Sequence, residues 1–373
     1  MKTGAPLTIR SVTSLEAFKG LAREWDALLD SVPGHSLFLT WDWLYSWATH
    51  YLGDGQIKIF LAFDGHERLV GIAPLFLRLK RRGVISVREL RFLGSEAVCS
   101  SYLDCLAQER HKPAVLQNLY HYLCTEGRGQ WDILTLSDLP AESSTLDLFS
   151  DLFDQADKVG EIIGTTCCPV IRLPRDVGTY RAGLGRNRRY GLQRKMTRLR
   201  KAGRLEFTRA TSPAEVEDAF ESVIDLHQRR WNGRPGGGVF ADARAKRFHR
   251  EIVRVMSERG RASIDRLLLE GRPIAGIYGF TYRGVYYFYL PGFDPDVMPQ
   301  ASPGQLLLHH RIEQALGDGE QMVDLLQGAA PYKREWSNDV RRSITVRWYN
   351  RSARAVAFKL LESGKQAVKI FVR

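Results

Sequence analysis

The same succession of short segments occurs twice along this chain. Ile57–Phe63 is a β-type apolar run closed by Asp64-Gly65, and Leu69–Phe76 returns from it. Asp-Gly between two such runs is a hairpin signal. A third strand, Glu89–Leu93, continues toward Tyr102-Leu103-Asp104, and a helix over Ala114–Cys124 and a strand over Trp131–Leu136 follow. In the second half Ala262–Leu269 closes on Glu270-Gly271, Pro273–Phe280 returns, Val285–Leu290 is the next strand, Gln305–Leu316 the helix and Val323–Leu326 the closing strand. The turn glycines Gly65 and Gly271 are each followed shortly by Gly-Ile, and Asp132 and Asp324 take matching places at the closing strands. Order and turn chemistry agree, so the chain reads as an internal duplication of a β-hairpin–β–α–β unit. At roughly 150 residues per domain, 373 residues also favour two domains. The stretch from Cys168-Pro169 to Leu173-Pro174 reads as the linker, giving domains 1–172 and 173–373.

Ahead of the first unit, Thr13-Ser14-Leu15-Glu16 reads as a capping box opening one helix. Leu15, Phe18, Ala22, Trp25 and Leu29 share a face of it, and Val32-Pro33-Gly34 ends it. Trp43, Trp47 and Tyr51 follow at helical spacing, with Trp41 and Tyr45 beside them. That stripe fits a core, and a wall of a substrate cleft is the alternative. An apolar content of 44% and a charged content of 26% are ordinary for a globular chain. No window is apolar enough for a spanning helix, and Met1–Leu7 lacks the apolar stretch of a secretory signal. Five cysteines without C-x-x-C spacing indicate neither a zinc knuckle nor a disulfide framework. A reduced, cytoplasmic, metal-free protein is expected.

The net charge of +12 is local. Residues 181–204 carry ten Lys and Arg and no acid, leaving +2 for everything else. This stretch reads as a basic helical segment. Arg194, Arg198 and Lys201 share a face, while Arg188, Arg189, Arg200 and Arg204 spread around it. A solvated helix, an acidic acceptor such as a polysaccharide or nucleotide-sugar, and RNA all remain open readings. Only Tyr190 stands among the cations to stack on a base, so no specific nucleic-acid partner is expected.

The most informative local signal opens the second-unit helix. Ser302 suits an N-cap, Pro303 the first helical position, and Gln305 completes an S-x-x-Q capping box. Gly304 bares backbone, so the first-turn amides of Gly304, Gln305 and Leu306 face an anion along the helix dipole. An ordinary well-capped helix is the plain alternative. The preceding strand runs into Pro291-Gly292-Phe293-Asp294, and proline in a strand marks an edge or bulge. A disrupted strand followed by a glycine-bearing helix start opens a slot for a ligand.

Taken together, these residues resemble a family. The two units, with Ser302-Pro303-Gly304-Gln305-Leu306-Leu307 and Gly328-Ala329-Ala330-Pro331-Tyr332-Lys333-Arg334-Glu335-Trp336 in the second, are similar to the GNAT-superfamily acyltransferases of the cellulose-biosynthesis-associated (CelD/BcsL-like) type. The Trp41–Trp47 helix, Tyr102-Leu103-Asp104 and the basic Arg186–Gly203 segment match as well. The resemblance implies an α+β fold of two tandem GNAT-like domains, each a mixed, mainly antiparallel sheet flanked by helices. It is related to the Fem-type aminoacyltransferases that use charged tRNA. It implies acetyl-CoA or another acyl-CoA as co-substrate, and a small-molecule or saccharide acceptor in exopolysaccharide or cell-envelope biosynthesis. One departure stands out. Gln300-Ala301-Ser302-Pro303-Gly304-Gln305 puts proline where the family's Gln/Arg-x-x-Gly-x-Gly/Ala loop has its first glycine. The first-unit helix start, near Lys112-Pro113, has no glycine, so that half reads as structural.

Acyl transfer from a thioester needs an oxyanion donor, a base for the nucleophile's proton and an acid for the departing thiolate. Backbone amides near Leu290–Gly292 are assigned to the first. Tyr332, after the last strand, stands where GNAT enzymes often place a tyrosine acid, and a core-edge tyrosine is the alternative. Asp294 is the candidate base, against a plain turn former in Phe-Asp-Pro. The cofactor set is Leu290, Gly292, Ser302, Gly304, Gln305, Leu306 and Lys333, the last reaching a phosphate or pairing with Asp324. Arg188, Arg189, Arg230 and Trp231 are assigned to the acceptor, with Gly233–Gly238 as its rim. His309 and His310 have no partner pattern for a metal. Gly183-Leu184-Gly185 is followed by Arg188 where a dinucleotide loop needs glycine, and neither a Walker A nor a G-x-S-x-G motif occurs. An aminoacyl-tRNA-dependent Fem-like transferase and a non-catalytic RNA- or polyanion-binding protein are the alternatives.

Overall fold

The computed structural model describes residues 7–155, 160–234, 236–328 and 330–371. The N-terminal residues read for a leader, Pro235 of the glycine stretch and Ala329 of the second-unit motif lie outside them. The chain divides into two compact units, Met1–Thr166 with Arg342–Arg373, and Cys167–Arg341. This corrects the expected division at 172/173, and in particular the assignment of the whole C-terminal stretch to the second domain.

The first unit opens with β1 (Thr8–Val12), α1 (Leu15–Lys19), α2 (Ala22–Ser31) and α3 (Trp41–Tyr51). The expected single helix over 15–29 is two. Its cap is Ser14 rather than Thr13, through a 3.1 Å bond from the Ala17 amide to Ser14 Oγ. The chain turns at Gly20 so that both Phe18 and Trp25 are buried. Trp43 and Trp47 of α3 are core. Then come β2 (Gln56–Phe63), β3 (Leu69–Arg82), β4 (Ile85–Phe92), the short β5 (Leu106–Ala107), α4 (Lys112–Cys124), β6 (Ile133–Pro140) and α5 (Ser144–Asp154). β1, β2, β3 and β4 pair antiparallel in that order, β5 adds to β3, and β6 lies parallel to β4. The parallel step is forced by the α4 crossover.

β7 (Glu161–Arg172) replaces the expected linker. Pro169 is tolerated inside it, and its Val170–Arg172 end joins the second unit's sheet. Next are α6 (Val177–Gly183), α7 (Arg186–Ala202), β8 (Leu205–Ala210), α8 (Pro213–Trp231), α9 (Ala243–Glu258), β9 (Ala262–Leu269), β10 (Arg272–Tyr282), β11 (Val285–Phe293), α10 (Pro303–Gly317), β12 (Met322–Asp324) and α11 (Pro331–Trp336). The order across this unit is β7-β12-β11-β10-β9-β8, antiparallel except where β12 meets β11. One core is formed by Tyr286 and Phe288 of β11 with Leu306, Leu307 and Ile312 of α10 and Leu192 and Leu199 of α7. α8 also packs directly on the sheet, over two glycines that face each other across β10 and β11. A Cβ on Gly276 would come within 2.9 Å of Val223, and one on Gly292 within 2.7 Å of the His227 amide nitrogen. The expected strand over 323–326 stops at Asp324, because Leu326 takes φ +55° and leaves the sheet.

β13 (Asp339–Tyr349) and α12 (Ala353–Phe371) close the chain. Ser343–Tyr349 pairs antiparallel with β6, which is why the C-terminal stretch belongs to the first unit.

Candidate active site

In the second unit β11 and β12 are parallel partners only over Val285–Tyr287 and Met322–Asp324. Beyond that point the chain after β12 stays with β7, through the Leu325 amide on the Pro169 carbonyl, while β11 runs on to Phe293 beside β10. The two strands part and leave a slot. A cavity of about 260 Å³ fills it, lined by Phe288, Pro291, Phe293 and Asp294 of the β11 end, Ser302–Gln305 of the α10 start, Arg230 of the α8 end and Tyr332 of α11. Sequence-assigned residues from four elements therefore meet here: Asp294, Ser302, Gly304, Gln305, Arg230 and Tyr332.

Pro291 sits where β11 has a neighbour on one side only, facing Ile277 of β10. This satisfies the rule that strand proline needs a missing partner. The same register corrects the oxyanion assignment. The Asp294 amide donates to the Ile274 carbonyl at 3.0 Å. Amide directions alternate along a strand, so the Gly292 and Leu290 amides also point into the β10 ladder and away from the slot. Gly292 is required instead by the close approach of α8.

The α10 start differs from the expected capping box. Ser302 takes the left-handed conformation, φ +47° and ψ +61°, and its side chain caps nothing. Its carbonyl receives the amides of both Gln305 (3.0 Å) and Leu306 (3.3 Å). The Gln305 side chain instead accepts a 3.1 Å bond from Lys195 Nζ of α7. Pro303 has no N–H, and the Gly304 amide has no backbone acceptor at this helix start among the described residues. A Cβ at Gly304 would make ordinary contact with Phe293 at 3.5 Å. Leu306 is buried in the core and does not reach the slot.

Besides Ser302 and Gln305, three polar side chains border the cavity. The Arg230 guanidinium lies over the Phe293 ring at 4.8 Å, its Nε is buried without a hydrogen-bond partner, and burial lowers its pKa. Burial pushes the Tyr332 hydroxyl up to about 12, against the opposing charge of Arg230, so it carries its proton at neutral pH. Its ring meets Phe288 edge-on at 6.4 Å. Asp294 is 2% exposed and already committed, since its Oδ2 accepts Arg272 at 2.6 Å and lies 3.4 Å from Arg229, while Oδ1 accepts the Asp296 amide. A carboxylate so engaged anchors the turn after β11, which corrects its assignment as a base.

The remaining assigned residues lie outside the cavity. Lys333 is buried, and its Nζ donates to the carbonyls of Leu326 and Gln327, pinning the loop between β12 and α11. Arg188 stacks on Trp336 at 4.7 Å and donates to the Glu335 carbonyl, while Arg189 is exposed on α7. Trp231 packs under Gly238 and beside His227. His227 and His249 share a buried aromatic cluster with Phe240 and Tyr278, where burial holds their pKa values at about 4 and about 3. His309 meets Tyr180 and Trp336, and His310 meets Phe207. Among the described residues no group of three His, Cys, Asp or Glu side chains is placed to hold a metal, and no helix is long and apolar enough to cross a membrane. The strand proline points to the slot in the sequence, but sequence reasoning missed Phe288 and Phe293 as its walls and Lys195 as the link from α7.

Residues 186–334 match the family model of the acetyltransferase (GNAT) domain. The fold is GNAT-like. The chain superposes on the crystal structure of FemX with a TM-score of 0.62 at 10% identity, covering 95% of this chain and 100% of that one. L-PGS from Bacillus licheniformis gives 0.51 at 13% identity over 92% and 95%. A conserved protein of unknown function from Bacteroides thetaiotaomicron gives 0.51 at 10% over 92% and 99%. Identities this low speak for the fold alone. No curated protein matches the sequence. The matched stretch runs from the start of α7 to α11 and so contains the slot.

Proposed function

We propose that the second unit is an acyltransferase that moves an acyl group, most simply acetyl, from acyl-CoA to an amine or hydroxyl acceptor. The observation that carries this reading is the slot between β11 and β12, with a helix start on one side and a protonated tyrosine on the other. The residues fit the group. The unclaimed Gly304 amide and the buried, partnerless Nε of Arg230 suit the donor's diphosphate, and Phe288, Pro291 and Phe293 suit its apolar arm. The bound thioester supplies an activated acyl carbon and a thiolate leaving group. Tyr332 holds its proton at the cavity wall and would give it to the departing thiolate, the proton that the acceptor loses on acylation restoring the hydroxyl. Arg272 and Arg229 hold Asp294, which fixes the β11 end that forms the slot's edge. The motif resemblance supports a place in exopolysaccharide or cell-envelope biosynthesis.

Calorimetry with acetyl-CoA tests the reading, and no heat of binding at millimolar concentration would sink it. Gly304→Glu is the matched variant. An acid in the first turn favours the helix, so α10 is expected to form, yet its charge meets an anionic ligand head-on. Affinity is expected to fall by about 100-fold, on the order of 2.7 kcal/mol. Unchanged affinity would move the donor away from this helix start.

A further inference from the structure

α7 carries charges in places that cost it stability. Arg186, Arg188 and Arg189 stand in its first turn, where the helix dipole disfavours cations, and no acid accompanies them. Arg194 and Arg198, four apart, repel by a few tenths of a kcal/mol. Some cations of the segment are used internally: Arg181 pairs with Glu313, Arg204 with Glu206, Arg188 with Trp336, and Lys195 with Gln305. The other six, Arg186, Arg189, Arg194, Arg198, Arg200 and Lys201, are exposed and form no ion pair among the described residues.

Three of the six fall on one strip. Tyr190, Gln193, Arg194, Thr197, Arg198 and Lys201 line a shallow depression along the outer face of α7. Residues one turn apart sit roughly 6 Å from each other, about the advance of one pyranose ring in an extended glycan. Gln193 and Thr197 add hydrogen-bonding groups between the charges. The helix's Leu192 and Leu199 are buried in the core, so the strip has no apolar residue to enter a bilayer. Tyr190 is the strip's one aromatic, where single-stranded nucleic acid needs a row of stacking platforms. On its other side the same helix touches the slot, because Lys195 bonds Gln305, which lines the cavity.

We propose that this strip docks the acceptor as an anionic glycan chain whose sugars carry carboxylates. Calling the glycan the acceptor rests on the acyl-transfer reading, whereas its binding to α7 does not. The test uses the full chain and fluorescently labelled oligogalacturonate, with poly(U) and anionic phospholipid vesicles as competitors, at low and near-physiological salt. Oligogalacturonate is expected to bind and to weaken as salt screens the contacts. The triple variant Arg194→Glu, Arg198→Glu, Lys201→Glu, folded by circular dichroism, is expected to lose about tenfold or more of that affinity while keeping its affinity for acetyl-CoA. Binding of oligogalacturonate that survives the triple charge reversal overturns the proposal. So does the absence of binding at low salt, or tighter binding of poly(U) or of vesicles than of the glycan. A wild-type chain that binds oligogalacturonate but not acetyl-CoA keeps the strip and removes the acyl-transfer reading. The two failures are thereby distinguishable.

Discussion

Each unit parts a pair of parallel strands, and the two openings have opposite fates. In the first unit β4 and β6 pair over Glu89–Arg91 and Ile133–Thr135 and then separate. The longer connection that follows β4, residues 93–111, folds back into the space. The Leu103 amide donates to the Asp138 carbonyl of β6 at 3.1 Å, and Val98, Tyr102 and Leu103 are buried. Trp43 and Ser36 fasten the segment by hydrogen bonds to Ser100, Ser101 and Tyr102. In the second unit the shorter connection, residues 294–302, goes directly to α10, and the opening keeps its cavity. The same topology thus yields a packed core where the chain supplies its own filler, and a site where it does not. A parting of strands offers a place for a ligand only when the next helix starts within reach of it. Lys112 of the first-unit helix start is instead tied to Asp104, and its N-terminus has no glycine.

The largest effect that sharpens this contrast is expected from Tyr332→Phe, which removes one oxygen from the open slot. Turnover, read as thiol released from acetyl-CoA, should fall by about 10²–10⁴-fold, with donor affinity nearly unchanged. A fall of less than about threefold leaves Tyr332 a wall of the cavity and takes the acid out of the proposal.

Leu103→Ala strikes the filled slot. Leu103 is fully buried, and such truncations cost about 2–5 kcal/mol, rising with the cavity left behind. Urea denaturation should show that loss, and acetyl-CoA binding should stay at its wild-type affinity and stoichiometry. A second equivalent of acetyl-CoA bound by the variant would break the comparison, since the first unit would then hold a donor site masked by its own side chain.

The sequence made the repeated units legible because hairpin turns and apolar strands leave local marks. Ala262–Leu269 is the observed β9 residue for residue, and Asp64-Gly65 falls between β2 and β3 as expected. Some of the agreement was coincidental. Gly71 makes room for Val115 of α4, the helix after its hairpin, whereas Gly276 makes room for Val223 of α8, the helix before it. β13 escaped notice because its inward positions include Arg347, which sits buried beside Glu89 and bonds Glu362, so a core position carries a surface residue type. Its pairing with β6 lies some two hundred positions back in the chain and leaves no local trace. At the site, the residue types were legible and their directions were not. Nothing short of register shows that the amides of Leu290 and Gly292 turn into the sheet, or that Asp294 is claimed by Arg272 and Arg229.

The smallest effect separates the units by the way each buries a carboxylate in its sheet. Glu89 of β4 is fully buried, which by itself raises its pKa, but Arg91, Lys80, Thr135 and Arg347 outweigh burial and hold it below the ordinary glutamate value. Asp265 of β9 is buried as deeply, and there burial prevails over Arg311 and Arg209 and lifts it to about 6 from 3.8. The signs are opposite. The native second unit keeps a proton on Asp265 that the unfolded chain has released, so the contribution of Asp265 to stability is full below about pH 4 and is lost as pH rises from about 4 to 6. Glu89 favours the native first unit above the unfolded glutamate value of 4.5, and that contribution fades as pH falls through its lower native value. Hydrogen exchange followed from pH 4 to 6.5, corrected for intrinsic rates, reads the two units separately. Slow amides of β9 and β10 should lose protection with rising pH by an amount on the order of 1–2 kcal/mol, less than the full shift because the Arg311 and Arg209 guanidiniums stabilise the ionised Asp265. Asp265→Asn should flatten that slope whatever it does to stability itself, because an amide does not titrate in this range. A slope that persists in the variant would assign the dependence to other groups and leave the Asp265–Arg311 network without the role given to it.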